Sequence, residues 1–125
     1  MAALRPGMEY ATAGTDAVES VVPEEYGGMW FFRGPLGCES LGVTLLELKP
    51  GGKGNPHDHA GDGQEEVYLV VEGELTVQPG GGEERAADEE LTLGECEAVG
   101  VGPVTRRQLH NHGDGTVRVA IAGAP

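Results

Sequence analysis

Lysine is almost missing from this chain: it occurs only at Lys49 and Lys53, and all Lys and Arg together number 8 against 21 Asp and Glu. The net charge of -13 opposes binding to nucleic acid or to an anionic membrane surface, whose phosphates it would repel. An acidic excess with so little lysine is the pattern of a halophilic, high-salt cytoplasm, in which screening shortens the repulsion between carboxylates. A genome that favours Arg over Lys accounts for the lysine shortage equally well. Cysteine is scarce too. Cys38 and Cys96 stand in no C-x-x-C motif and have no histidine close by in sequence, so we expect two buried or inert thiols with neither a disulfide nor a zinc role. The opening residues, MAALRPGMEYATAG, lack the apolar stretch of a secretory signal, which predicts a cytoplasmic protein. No apolar run approaches the roughly twenty residues of a membrane-spanning helix. Helix signals are equally sparse, the one candidate turn being Asp16 to Val22, where Asp16 and Glu19 form a weak capping pair.

What the chain has in abundance is glycine, 22 of 125 residues, set as punctuation between short apolar runs. Turn signals fall at Pro50-Gly51-Gly52, Gly61-Asp62-Gly63, Gly73, Pro79 to Gly82, Gly94, Gly102-Pro103 and Gly113-Asp114-Gly115. Between them lie candidate strands at Met29 to Arg33, Leu41 to Leu48, Glu65 to Glu72, Leu75 to Gln78, Glu84 to Ala87, Glu97 to Val101, Arg107 to Asn111 and Val117 to Ile121. Such spacing predicts an all-β sandwich or barrel. Hydrophobic residues make up 38%, enough for one core, and the length fits a single domain. Residues 1–28 are polar and poor in periodicity and read as an arm; residues 29–125 read as the barrel, entered by the aromatic group Trp30-Phe31-Phe32.

One segment, GGKGNPHDHAGDGQEEVYLVVEG from Gly51 to Gly73, carries chemistry. His57 and His59 are two apart, so in extended backbone both imidazoles face the same side. Glu66 opens an alternating strand that puts Glu66, Tyr68 and Val70 on one face and Val67, Leu69 and Val71 on the other. A hairpin would bring Glu66 to the histidines. Two imidazoles and one carboxylate form a facial set suited to a divalent metal, Fe, Mn, Ni or Zn, with coordination positions left open. The second face of the same strand is also apolar and needs covering, by the arm or by another copy; a homodimer is expected.

The segment resembles the first motif of the cupin family, G-x5-H-x-H-x3 or x4-E-x6-G, with Gly51, His57, His59, Glu66 and Gly73 as anchors. Six residues rather than three or four separate His59 from Glu66, the surplus lying in the turn Ala60-Gly61-Asp62-Gly63. The second motif, G-x5-P-x-G-x2-H-x3-N, survives only at Asn111. With Asn111 as anchor, Cys96, Gly102 and Val104 stand at the glycine, proline and second glycine, and Arg107 takes the place of the fourth ligand, a histidine. His110 fits that place poorly, and His110 and His112 read as surface residues at a turn. The resemblance implies a double-stranded β-helix, or jelly roll, with a pocket between its sheets.

Arg107 is the informative departure. A guanidinium has no lone pair to donate and stays charged. At about 5 Å and an effective dielectric near 20 it would oppose a divalent ion by roughly 6 to 7 kcal/mol. Three arrangements are open: no metal, with Glu66 and Arg107 paired; a weakly held metal, with Arg107 receiving an anionic substrate; or Arg107 turned outward beside a three-ligand site. The leading reading is a metal-binding cupin that binds or acts on a small anionic metabolite, using His57, His59 and Glu66 as ligands and Arg107 and Tyr68 toward substrate. As an enzyme it would be a metal-dependent dioxygenase or isomerase. The alternative is a metal-free sensing or binding cupin organised by a Glu66–Arg107 ion pair.

Overall fold

The structure, a computed structural model, describes residues 3–4, 10–81 and 89–125. Its strands are β1 (Ala3–Leu4), β2 (Ala11–Thr12), β3 (Gly27–Phe31), β4 (Gly42–Leu48), β5 (Glu65–Glu72), β6 (Leu75–Pro79), β7 (Leu91–Leu93), β8 (Ala98–Val101), β9 (Arg107–His110) and β10 (Val117–Ala124). All pairings are antiparallel. One sheet has the order β3-β4-β10-β5-β8 and a second the order β7-β6-β9, with β1 and β2 forming a separate pair. This is the two-layered, all-β architecture that the short apolar runs and turn signals predict, in the jelly-roll form that the family resemblance implies.

The core lies between the two layers. Leu46, Leu48, Tyr68, Val70, Val117, Val119 and Ile121 come from the larger sheet and Leu75, Val77 and Leu109 from the smaller. Period-two alternation explains the selection: in β10 every second residue from Val117 is buried, and in β5 Tyr68 and Val70 are buried while Val67, Leu69 and Val71 are exposed. The hairpin from β5 to β6 turns at Gly73, φ 86°, where a Cβ would come within 2.9 Å of the Thr116 carbonyl oxygen. Only glycine meets both demands there.

Several expectations need correction. The helical turn at Asp16 to Val22 does not form; the helical piece is a 3-10 turn at Glu24–Tyr26, where Pro23 leads into two acidic residues. Strand β7 was not anticipated, its three residues being too few to show alternation. The expected strand Glu84 to Ala87 lies outside the described residues. β3 starts at Gly27, two residues before the expected edge of the barrel. Its aromatics do not enter the core: Trp30 lies flat over Gly28, where a Cβ would meet its ring at 2.1 Å, and Phe31 is half exposed. The cysteines are free, Cys38 partly buried and Cys96 exposed at a turn residue with φ 67°. Among the described residues no helix is long and apolar enough to cross a membrane.

Candidate metal centre

The chain from Gly51 to His59 runs antiparallel alongside β9, which fixes where the histidines stand. Gly51 N donates to Asn111 O at 2.9 Å, Gly54 N to Leu109 O at 2.9 Å, and His57 exchanges backbone hydrogen bonds with Arg107 at 3.0 and 2.9 Å. His57 therefore sits directly across from Arg107, with both side chains on one side of the ladder. Asn111 locks the far end. Buried, its amide donates to Leu48 O and Gly115 O, both at 2.8 Å, and accepts from Gly113 N at 3.0 Å. On the opposite sheet β5 carries Glu66 and Tyr68 inward.

These side chains converge on one atom, Glu66 Oε1. His59 Nε2 lies 3.2 Å from it and His57 Nε2 3.4 Å; Arg107 Nη2 and the Tyr68 hydroxyl each approach to 2.8 Å. The donor atoms of His57, His59 and Glu66 all lie within 4.8 Å of one another, and the two imidazole rings stand edge to face with centroids 5.2 Å apart. Each ring is oriented from behind. His57 Nδ1 is 3.1 Å from the Asn55 carbonyl oxygen, and His59 Nδ1 is 3.1 Å from Asp62 Oδ1. Since a carbonyl and a carboxylate only accept, Nδ1 carries the hydrogen in both rings; Nε2 donates to Glu66 when the ring is protonated there too, and offers a lone pair to a cation when the ring is neutral.

Burial alone would raise the Glu66 carboxyl, but hydrogen bonds from His57, Tyr68 and Arg107 outweigh it and hold the group at about 2. The hydrogen bond to Glu66 raises His57 above the ordinary imidazole value, against the opposing effect of burial. For Tyr68 burial dominates and pushes the phenol well up, so it is a neutral donor. Burial would lower Arg107, but its bonds to Tyr68 and Glu66 more than offset this, and it remains a cation.

Arg107 and Tyr68, the two residues expected to meet substrate, are both hydrogen-bonded to Glu66. Arg107 is fully buried: Nε donates to the Tyr68 hydroxyl at 3.0 Å, Nη1 to Thr105 O at 2.8 Å, and Nη2 to Glu66. The Glu66–Arg107 ion pair is present, and Arg107 does not turn outward. Tyr68, also buried, bridges the same pair. His110 and His112 stack on each other, centroids 5.1 Å apart, and stand outside the cluster.

A cavity of about 280 Å³ opens beside His59 and Glu66. Its wall includes Phe31, Thr44 and Ile121, inward residues of β3, β4 and β10, with Arg33 and Gln64 at the rim. Arg33, Gln64 and Asp62 were missed in the sequence. Asp62 left a signal, as the carboxylate in the surplus turn; Arg33 reads as the last residue of a strand from Met29, but β3 ends at Phe31 and Arg33 lies in the loop beyond it.

The cupin domain family model matches residues 44–122, and the chain belongs to the cupin family. No protein of curated function matches it. Among solved structures, a sugar phosphate isomerase of the cupin superfamily from Silicibacter pomeroyi is 21% identical, with a TM-score of 0.67 over 91% of this chain and 75% of its own. A cupin protein from Bacteroides fragilis is 16% identical, TM-score 0.66, over 86% of this chain and 83% of its own. An oxalate decarboxylase from Lactobacillus farciminis, solved with formate, is 17% identical, TM-score 0.72, over 87% of this chain but 31% of its own length. At these identities the likeness establishes the fold, a double-stranded β-helix.

Proposed function

We propose that this chain is a cupin that holds a divalent metal on His57, His59 and Glu66 and takes a small anionic metabolite into the adjoining cavity. One observation supports the reading: the candidate ligand atoms of His57, His59 and Glu66 lie within 4.8 Å of one another, close enough for two neutral imidazoles and a carboxylate to share one cation. Such a cluster needs cations, and Arg107 supplies one from behind. A metal ion in front would satisfy the two imidazoles together with the carboxylate. The donor set of two nitrogens and one oxygen suits Fe, Mn, Ni or Zn.

A metal in this place would supply a Lewis acid for polarising a carbonyl, or a redox centre for oxygen chemistry, which fits an isomerase or an oxygenase. The chain's own residues do the rest. Asn55 and Asp62 fix the tautomers and ring planes of the histidines. Tyr68 and Arg107 pin Glu66 through Oε1 and keep it ionised to very low pH; in this proposal they hold the carboxylate rather than touch the ligand. Phe31, Thr44 and Ile121 form the wall against which the metabolite lies.

A second reading rests on the Glu66–Arg107 ion pair and on the raised His57: a metal-free cupin in which protons take the metal's place and the pocket senses or stores a small molecule. Elemental analysis of protein purified without an affinity tag separates the two, alongside His57→Ala. Near-stoichiometric metal that disappears in the variant is the expected result. Metal-free protein with no thermal shift on adding Fe, Mn, Ni or Zn would overturn the metal centre and leave the second reading. A homodimer formed through the outer face of β5 and a cytoplasmic location, in keeping with the two free cysteines, belong to the same proposal.

A further inference from the structure

We infer that Arg33 is the anion receptor of the cavity, and that the ligand is a short bifunctional acid. In this arrangement the carboxylate meets Arg33, and an oxygen at the other end reaches the point faced by His57, His59 and Glu66. The second contact rests on the proposed metal centre; the first does not.

The cavity opens at an inward position that carries no side chain, Gly42; at its partner Gly123 a Cβ would already meet Gln64 and Glu66 at 3.3 Å. Gly42 and Gly123 lie opposite each other in the β4–β10 register, at the mouth end of the sheet, next to Glu66 on β5. A Cβ on Gly42 would meet nothing closer than the Gly123 carbonyl oxygen at 3.7 Å and Arg33 Cδ at 4.0 Å. Arg33 Cδ thus borders this opening, and its guanidinium is tethered by a hydrogen bond from Nη2 to the Glu39 carbonyl. With Arg107 buried and paired to Glu66, Arg33 is the cationic side chain of the cavity wall.

Charge and size narrow the ligand. On a protein of net charge -13, with Glu66 ionised in the same cavity, one guanidinium matches one negative charge, so a carboxylate fits better than a dianionic phosphate. Phe31 and Ile121 give the space between the two ends an apolar wall, suited to a chain of a few carbons. About 280 Å³ lies at the small end of ligand sites, below the space a nucleotide or a drug-sized molecule needs. Thr44 and Gln64 add polar contacts alongside.

Calorimetric titration of 4-hydroxybutanoate, with 1,4-butanediol and inorganic phosphate as controls, tests this on the metal-supplemented protein. The parent protein is expected to bind the acid and neither control, with affinity falling as salt rises. Arg33→Gln should weaken the acid about tenfold or more while its metal content stays that of the parent. Gly42→Val should fill the cavity and abolish binding, with an unchanged circular dichroism spectrum and thermal midpoint confirming that it folds. Equal binding by Arg33→Gln, equal binding of the diol, tighter binding of phosphate, or no binding of the acid to the parent protein would each overturn the assignment. Metal analysis of the same samples reports separately on the metal centre: Arg33-dependent binding by metal-free protein would sink the centre and keep the receptor.

Discussion

Arg107 Nη2 lies 2.8 Å from Glu66 Oε1, and Arg107 Nε lies 3.0 Å from the Tyr68 hydroxyl that donates to the same oxygen. Three side chains from two facing sheets are thereby closed into a ring, with the guanidinium fully buried. Arg107→Ala removes the counter-charge of a largely buried carboxylate and orphans the Thr105 carbonyl, so we expect a loss of about 3 to 5 kcal/mol in chemical denaturation. Replacing both partners, Arg107→Met with Glu66→Leu, should recover much of that loss. A double variant as unstable as the sum of the two single variants would contradict a closed pair.

Arg107 also stands where the family's fourth ligand belongs, directly across the ladder from His57. Arg107→His trades a permanent cation for a neutral donor, which removes repulsion of several kcal/mol and adds a ligand. Metal affinity, measured by competition with a chelator, is expected to rise at least about tenfold, while the metal-free protein becomes less stable. Unchanged affinity would mean that position 107 does not face the metal.

The turn that lengthens the first motif has a task. Asp62 accepts from His59 Nδ1 at 3.1 Å and also from Gln64 N at 3.2 Å, so it both shapes the turn and aims the ring. Those two bonds hold its carboxyl below the ordinary value, the backbone contribution being the larger. Asp62→Ala should lower metal affinity by about 10- to 100-fold, the usual effect of losing a ligand's supporting partner, and should leave the denaturation midpoint of the metal-free protein nearly unchanged. Loss of folding would instead assign Asp62 to the turn alone.

Much of this was legible from residue types and spacing. The period-two run from Glu65 to Glu72 gave β5 with its ends, and H-x-H followed by Glu gave the three converging donors, because alternation in a strand fixes side-chain direction locally. What stayed hidden depends on contacts distant in sequence. Arg107 reads as one of two adjacent arginines until the Gly51 to His59 segment pairs with β9 and places it opposite His57. Arg33 borders the cavity beside Gly42, at the end of β4 that the register sets against Gly123. Trp30 reads as core by composition, and its face is decided by pairing with Leu45 on the outward side of β4.

Stability of the metal-free protein should follow a defined pH window. Glu66 is depressed from the usual 4.5 to about 2, so its contribution is complete above about pH 4.5 and is lost as pH falls toward 2, on the order of 3 kcal/mol by linkage. His57 is raised, so its contribution is complete below its ordinary value of 6.5 and is lost as pH rises through the folded value. Urea midpoints should therefore peak between about pH 4.5 and 6.5. Glu66→Gln should flatten both limbs, since the same carboxylate raises His57. A metal bound to the centre would reverse the alkaline limb by favouring neutral imidazoles. A metal-free profile that keeps rising above pH 7 would contradict the coupling of His57 to Glu66.

The larger sheet is apolar on both faces, and only one of them meets the smaller sheet. Val67, Leu69 and Val71 are 44%, 40% and 51% exposed, and the register sets Leu45, Trp30, Ala98 and Ala120 on the same outward side. At its border Glu47 and Arg118 neutralise each other at 2.8 Å, and Glu65 continues the same face beyond Val67. Two copies that each carry -13 repel over most of their surface, and this uncharged patch is where they can meet without that cost. The parent protein is expected to be a dimer by light scattering in high salt, where the remaining repulsion is screened. Leu69→Asp would set a carboxylate from each copy into that contact and should yield a folded monomer. A parent protein that is monomeric under the same conditions would instead leave the patch to the chain's own N-terminal residues.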